Sequence, residues 1–262
     1  MAAEEGELAD DFAETPVPPQ TKTAVLLENP IGNPLFLRHD AVFVANEPQA
    51  AAHALDQARD AEVLVPAYVL LEDEAAWAPL LPHLTVILDE VNRAADAPRV
   101  HELCSRVAAV VCRNLGQIDI ARKAGVPWEA AAPISVWNAG TARWLYGLGA
   151  RRVWLPDELP SDDAAAIARE LAGEIPLGRN LTSAPTLMVT EHCLLTSEGP
   201  CAGECDPSAC VTCPRRAASK RGNRFLVETD GTRLPVRVDP LGRTRIFGRV
   251  SSAPVLYGSS EA

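Results

Sequence analysis

The chain has 262 residues and a mass of 28.0 kDa, enough for one large domain or two modest ones. Apolar residues make up 47% and charged residues 23%, a globular composition, and no apolar run is long enough to span a membrane. The net charge of −11 argues against general nucleic-acid coating, although residues 214–250 carry ten Arg and Lys against three Asp and Glu.

Residues 1–20, "MAAEEGELADDFAETPVPPQ", are acidic and proline-spaced and read as a disordered tail. With no Lys or Arg before Lys22 they lack the basic start and apolar core of a secretory signal, so the expected compartment is the cytoplasm. Residues 21–192 then show a rhythm of short apolar, β-branched runs: "AVLLEN" at 24, "AVFVAN" at 41, "EVLVP" at 62, "LTVILDE" at 84, "VAAVVCRN" at 107, "AAPISVWN" at 131, "RRVWLPDE" at 151 and "TLMVTEH" at 186. Such runs suit strands buried on both faces of a parallel sheet.

Ala-rich helical stretches lie between them. "EPQAAAHALDQARDA" follows Asn46 as its N-cap, "GQIDIARKAG" and "TARWLYGLGA" end on glycine, and "SDDAAAIARELAGE" begins with Ser161 as cap. Eight strands alternating with helices predict an α/β fold of the (β/α)8 TIM-barrel type, with an open doubly wound sheet as the alternative. Active sites of such barrels lie at the C-terminal strand ends. Those ends carry Glu28, Asn29, Asn46, Asp89, Glu90, Arg113, Asn114, Asn138, Asp157, Glu158, Glu191 and His192, which together could rim a pocket. Each taken singly is equally well a strand terminator or a cap of the next helix.

Residues 193–216 form a Cys-rich loop, Cys193-x7-Cys201-x3-Cys205-x4-Cys210-x2-Cys213 followed by Pro214. A reducing compartment disfavours disulfides. Cys201/Cys205 and Cys210/Cys213 have the spacing of zinc knuckles, while closely spaced cysteines ending in Cys-Pro also suit an iron–sulfur cluster, so spacing leaves both cofactors open. Residues 217–250 form a basic antiparallel appendix in which Asp230-Gly231 marks a hairpin turn and Gly242 a second. Its arginines are read either as a local phosphate or RNA contact or as a solvated ribbon. Residues 251–262 read as a tail.

Motifs of other chemistries are missing: there is no HExxH, GxSxG, P-loop or GxGxxG. His39, His53, His83 and His101 are scattered. His192 sits beside Cys193, but neighbours on a strand point to opposite faces, which disfavours a Cys–His nucleophile pair. Cys104 in a helix and Cys112 in a strand are expected to be buried, inert thiols.

"CRNLGQIDIARKAGVPWEAAAPISVWNAGTARWLYGLGARRVWLPDELPSDD", then "PTLMVTEHCLLTSEGPC" and a later "CPRR", resembles the peptidase U32 family, the collagenase-like proteases, across residues 110–250. The resemblance implies a barrel-like domain and four cysteines holding an iron–sulfur cluster, of the 4Fe-4S type. Better-understood members are similar to oxygen-independent hydroxylation factors acting on tRNA, rRNA or the ubiquinone ring, and some short members work as heterodimers with a second family chain. Cys193, Cys201 and Cys213 match "EHC", "GPC" and "CPRR"; the fourth ligand is either Cys205 or Cys210. The chain departs from the family in its shortness, in a first third without family motifs and in its fifth cysteine.

The resulting expectation is iron–sulfur-dependent hydroxylation of an RNA base or a small aromatic ring. Asn114, Asn138, Glu191 and His192 would line the pocket, and Arg215, Arg216 and Arg224 would meet phosphate or carboxylate. A collagenase-like peptidase and a non-catalytic partner subunit with a structural zinc are the rivals.

Overall fold

The computed structural model describes residues 42–57, 62–179, 186–201, 207–219 and 224–248. The expected strand at 24, with Glu28 and Asn29, and the two tails lie outside the described residues, as does Cys205.

Seven strands form one parallel sheet in strictly sequential order: β1 (Val42–Val44), β2 (Glu62–Pro66), β3 (Leu84–Ile87), β4 (Ala109–Cys112), β5 (Trp128–Ala130), β6 (Arg152–Trp154) and β7 (Leu177–Gly178). Each strand pairs with the next, as when a sheet winds in one direction, and the sheet is curled; the reversal of strand order that defines a doubly wound sheet is absent among the described residues. Helices α1 (Pro48–Gln57), α2 (Ala67–Leu70), α3 (Glu74–Trp77), α4 (Ala97–Cys104), α5 (Leu115–Ala124), α6 (Ala139–Gly147) and α7 (Ser161–Leu171) lie in the connections. Beyond them follow β8 (Thr186–Thr190), α8 (Pro207–Val211), α9 (Pro214–Ser219), β9 (Phe225–Val227), β10 (Arg233–Val238) and β11 (Thr244–Phe247), and a separate antiparallel sheet runs β8-β11-β10-β9. No helix among the described residues is long and apolar enough to cross a membrane.

The two faces of the parallel sheet separate by strand alternation. Val63, Val65, Val86, Val110, Cys112, Ala130 and Val153 pack against helix residues such as Ile118, Ala121, Leu145 and Leu171 in the main core. The alternate residues form a second, smaller cluster of Leu64 and Val111 with Val44, Ile87, Ala131 and Trp154. Trp154 lies across Gly178, where a Cβ would come within 2.5 Å of its ring. At the strand starts the same face carries a charged layer. Glu129 is fully buried and accepts from Trp154 Nε1 and from Arg151 Nε at 2.8 Å, while Arg152 bridges Glu62 at 2.6 Å and Glu129 at 3.2 Å. Burial raises the Glu129 pKa despite these arginines.

Several expectations change. "AAPISVWN" is a loop; the fifth strand is Trp128–Ala130 just before it, and Pro133 has no N–H to offer a ladder. The segment from 186 does not close the parallel sheet: β8 pairs antiparallel with β11, Thr190 opposite Thr244 and Met188 opposite Ile246. The short β7 takes the seventh place in the parallel sheet instead. In α1 the first turn is closed by Ala51 N–H to the Glu47 carbonyl, so Glu47 rather than Asn46 holds the cap position. The cap of α7 is Pro160, and Ser161 Oγ instead receives Arg179 Nη1 at 3.3 Å. The glycine end of α5 is as expected, with Gly125 at φ 68°. So are the Asp230-Gly231 hairpin and the Gly242 turn.

Candidate functional site: thiols beside the mouth of the parallel sheet

The C-terminal strand ends gather Asp89 and Glu90 after β3 and Arg113 and Asn114 after β4, as expected from sequence. The residues that meet them were not expected to. Arg245 on β11 is 2% exposed and reaches Asp89 at 3.0 Å, Glu90 at 2.8 Å and Asp239 at 3.1 Å. Its guanidinium lies 4.1 Å from the Tyr68 ring centre. Arg243 sits 3.4 Å from Asp96 and 3.7 Å from both Asp89 and Glu191. Arg237 reaches Glu72 at 2.8 Å, and Arg113 pairs with Glu90. The antiparallel sheet is therefore docked on the strand ends by buried guanidinium–carboxylate pairs. Part of the expected solvated ribbon is thus buried: Arg216, Arg237, Arg243 and Arg245, four of the ten basic residues at 214–250, pair with acids earlier in the chain.

These pairs divide the carboxylates. Burial drives the Asp89 pKa up to about 6, with Asp239 and Glu90 adding to it and Arg245 and Arg243 opposing. For Glu90 burial works the same way, but Arg113 and Arg245 outweigh it and hold its carboxyl below the usual range. The two adjacent acids are thus shifted in opposite directions, burial prevailing at Asp89 and the guanidiniums of Arg113 and Arg245 prevailing at Glu90.

The rim residues named from sequence have structural tasks. Asn114 Oδ1 accepts from Gln117 N–H at 3.0 Å and caps α5; Asn138 Oδ1 accepts from Thr141 N–H at 2.8 Å and caps α6. Gln117 was missed by sequence reading. It is fully buried and joins the rim by donating to Asp89 O and Asn92 Oδ1, both at 2.7 Å. A polar residue at the third position of a capped helix was its only sequence signal. Glu191 is 44% exposed in its side chain and pairs with Arg93 at 2.8 Å, a second missed residue. His192 is exposed, and its carbonyl accepts from Thr244 Oγ1 at 2.7 Å.

β8 delivers Cys193 to the edge of this network. Cys193, Cys201, Cys210 and Cys213 are all partly buried. They are near enough to influence one another: burial raises the Cys193 pKa, helped by Cys201 and Cys213, and burial raises that of Cys210, helped by Cys193, Cys201 and Cys213. Among the described residues, no three or more His, Cys, Asp or Glu groups stand in an arrangement tight enough to hold a metal ion. The thiols are thus neighbours without being a closed cage. Cys210 also packs on Gly242, where a Cβ would lie 2.7 Å from its sulfur.

Two of the arginines expected to meet substrate hold this segment together instead. Arg216 is 3% exposed; its Nε donates to the Cys210 carbonyl at 2.7 Å, Nη2 to the Val211 carbonyl, and Nη1 reaches Glu72 at 3.4 Å. Arg215 Nη1 donates to the Gly199 carbonyl at 2.8 Å and lies over Gly199, which at φ 140° leaves room for it. Arg224 is half-buried at the start of β9, its carbonyl accepting from Val236 N–H at 2.9 Å. Cys104 and Cys112 lie apart in the main core, as expected, and burial pushes the Cys104 thiol up to about 11. Compared with known proteins, the chain matches no family model, no curated protein and no solved structure.

Proposed function

We propose that this is a thiolate-metal protein of the peptidase U32 type, binding an iron–sulfur cluster through Cys193, Cys201, Cys210 and Cys213. Its task in this reading is oxygen-independent hydroxylation of a small aromatic ring or a nucleobase, acting alone or with a second chain of the same type. The observation that carries the proposal is the nearness of four thiols, each sensed electrostatically by another, beside the C-terminal strand ends of a parallel sheet. An all-sulfur donor set suits a soft metal centre. Because the thiols are not preassembled, loading would draw them together, as happens where metal binding and local folding are coupled.

Of the two candidates for the fourth ligand the reading takes Cys210. Its sulfur senses the other three, and Gly242 and Arg216 hold it in place. A bound cluster would supply one-electron chemistry, while the chain's own residues hold the thiols and fix the charge at the strand ends. Arg216, Arg237, Arg243 and Arg245 are committed to internal acceptors, so these four are not offered to an RNA backbone. The curled sheet is proposed to be the larger part of a (β/α)8 barrel, with the apolar run at 24 as the sequence's candidate for the remaining strand.

The test is purification without oxygen, followed by iron, sulfide and zinc analysis. About four irons and four sulfides per chain, with absorption near 400 nm, support the proposal, and Cys210→Ser should abolish both while Cys205→Ser keeps them. Stoichiometric zinc in a colourless protein refutes it. Nucleoside and small-molecule profiles of a deletion strain then identify the substrate class.

A further inference from the structure

Strand β11 and the turn before it, Gly242 to Arg245, alternate between two neighbourhoods. Gly242 and Thr244 serve the thiols. Gly242 (φ 77°) supplies the bare surface on which the Cys210 sulfur rests. Thr244 Oγ1 accepts from Leu194 N–H at 3.0 Å and donates to the His192 carbonyl at 2.7 Å, clasping the turn that carries Cys193 from both sides. Arg243 and Arg245 serve the strand ends, where they meet Asp89, Glu90, Asp96 and Glu191. From Arg243 into β11 the side chains alternate as along any extended chain, and Gly242 takes its place in the turn that precedes it.

The turn is also stiff. Asp239, fully buried, accepts from Leu241 N–H at 2.9 Å and Arg243 N–H at 3.0 Å while its second oxygen takes Arg245 Nε. A parallel brace runs from the Cys210 carbonyl through Arg216 to Glu72, which also holds Arg237 of β10.

We infer that residues 242–245 are a positioning strut that couples the thiol set to the carboxylates at the strand ends, so that loosening either end weakens the other. The inference rests on the proposed thiolate-metal function. Arg243, Thr244 and Arg245 are positioning residues in it; none touches the metal. Linkage makes the coupling reciprocal: a metal drawn onto the four thiols tightens the seating of the sheet, and a well-seated sheet raises metal affinity.

The experiment uses the full, reduced, metal-free chain and cobalt(II) as probe, read by its thiolate charge-transfer absorption. Glu90→Gln keeps the shape of a residue in the barrel-side network and removes one charge facing Arg245 and Arg113. It is expected to weaken cobalt binding about tenfold. Thr244→Val, at the other end of the strut, is expected to do the same, and the double variant should lose clearly less than a hundredfold. If Glu90→Gln does not fold, Arg245→Lys takes its place, since an ammonium cannot bridge three carboxylates as the guanidinium does. Wild-type cobalt affinity in a folded Glu90→Gln or Arg245→Lys chain overturns the strut. Absence of cobalt binding by the unaltered chain removes the thiolate-metal reading on which it rests, a distinct outcome.

Discussion

Replacing Arg245 by Met removes the cation shared by Asp89, Glu90 and Asp239 while keeping a long side chain over Tyr68. Glu90 keeps Arg113, and Asp239 keeps two backbone donors. Asp89 keeps the more distant Arg243, 3.7 Å away. Breaking a buried pair from one side costs about 3–5 kcal/mol when the stranded charge cannot escape. Here it can, by taking a proton. The Asp89 pKa is already raised from 3.8 to about 6, which makes its ionised form roughly 3 kcal/mol less favourable in the folded chain than in the unfolded one. A carboxyl raised in this way contributes stability that is fully present below its unfolded value and is lost as pH rises through the folded value. In Arg245→Met the folded pKa moves higher still. The destabilisation relative to the parent is therefore expected to be about 3 kcal/mol at pH 8 and to shrink by more than 1 kcal/mol at pH 5. Urea unfolding of both proteins at pH 5, 6.5 and 8 measures this. A loss below 1 kcal/mol at pH 8, or one independent of pH, would refute the shared-cation account.

Gly242→Val places a β-branched side chain at φ 77° and a carbon against the Cys210 sulfur; it should lower stability by at least about 2 kcal/mol and disturb the thiols, seen as faster Cys210 alkylation. Brief iodoacetamide treatment at pH 8 should label Cys193, Cys201, Cys210 and Cys213 before Cys104 and Cys112, whose thiols burial pushes well above that pH; peptide mass spectrometry reads the order, and early labelling of Cys112 would contradict its place in the core. Asn138→Ala should cost about 1 kcal/mol through loss of the α6 cap, in thermal or urea melts. Gly178→Ala forces Trp154 to move, so a shifted tryptophan emission should accompany its loss of stability.

What the sequence makes legible follows from how far apart the interacting groups are. β2, β3 and β4 can be read because each is a continuous apolar run, the signature of a strand covered on both faces. β5 escapes because its middle residue is Glu129, and a buried carboxylate breaks the very pattern used to find strands; its partners Arg151 and Arg152 lie more than twenty residues on. β8 is visible as a strand, but apolar content says nothing of the partner, and β11 lies over fifty residues later. The same distance hides the arginines. A local count makes residues 214–250 basic, whereas Glu72, Asp89, Glu90 and Asp96 pair with four of those arginines from some 150 residues away. One local signal was available. In "RLPVRV" and "RTRIF" arginines alternate with Val236, Val238 and Ile246, all buried, and a strand whose apolar residues face one layer must aim its arginines at another. Read that way, the alternation points to a carboxylate-lined surface opposite the arginines, and the adjacent Asp89-Glu90 after the most apolar part of β3 is the acidic pair best placed to provide it.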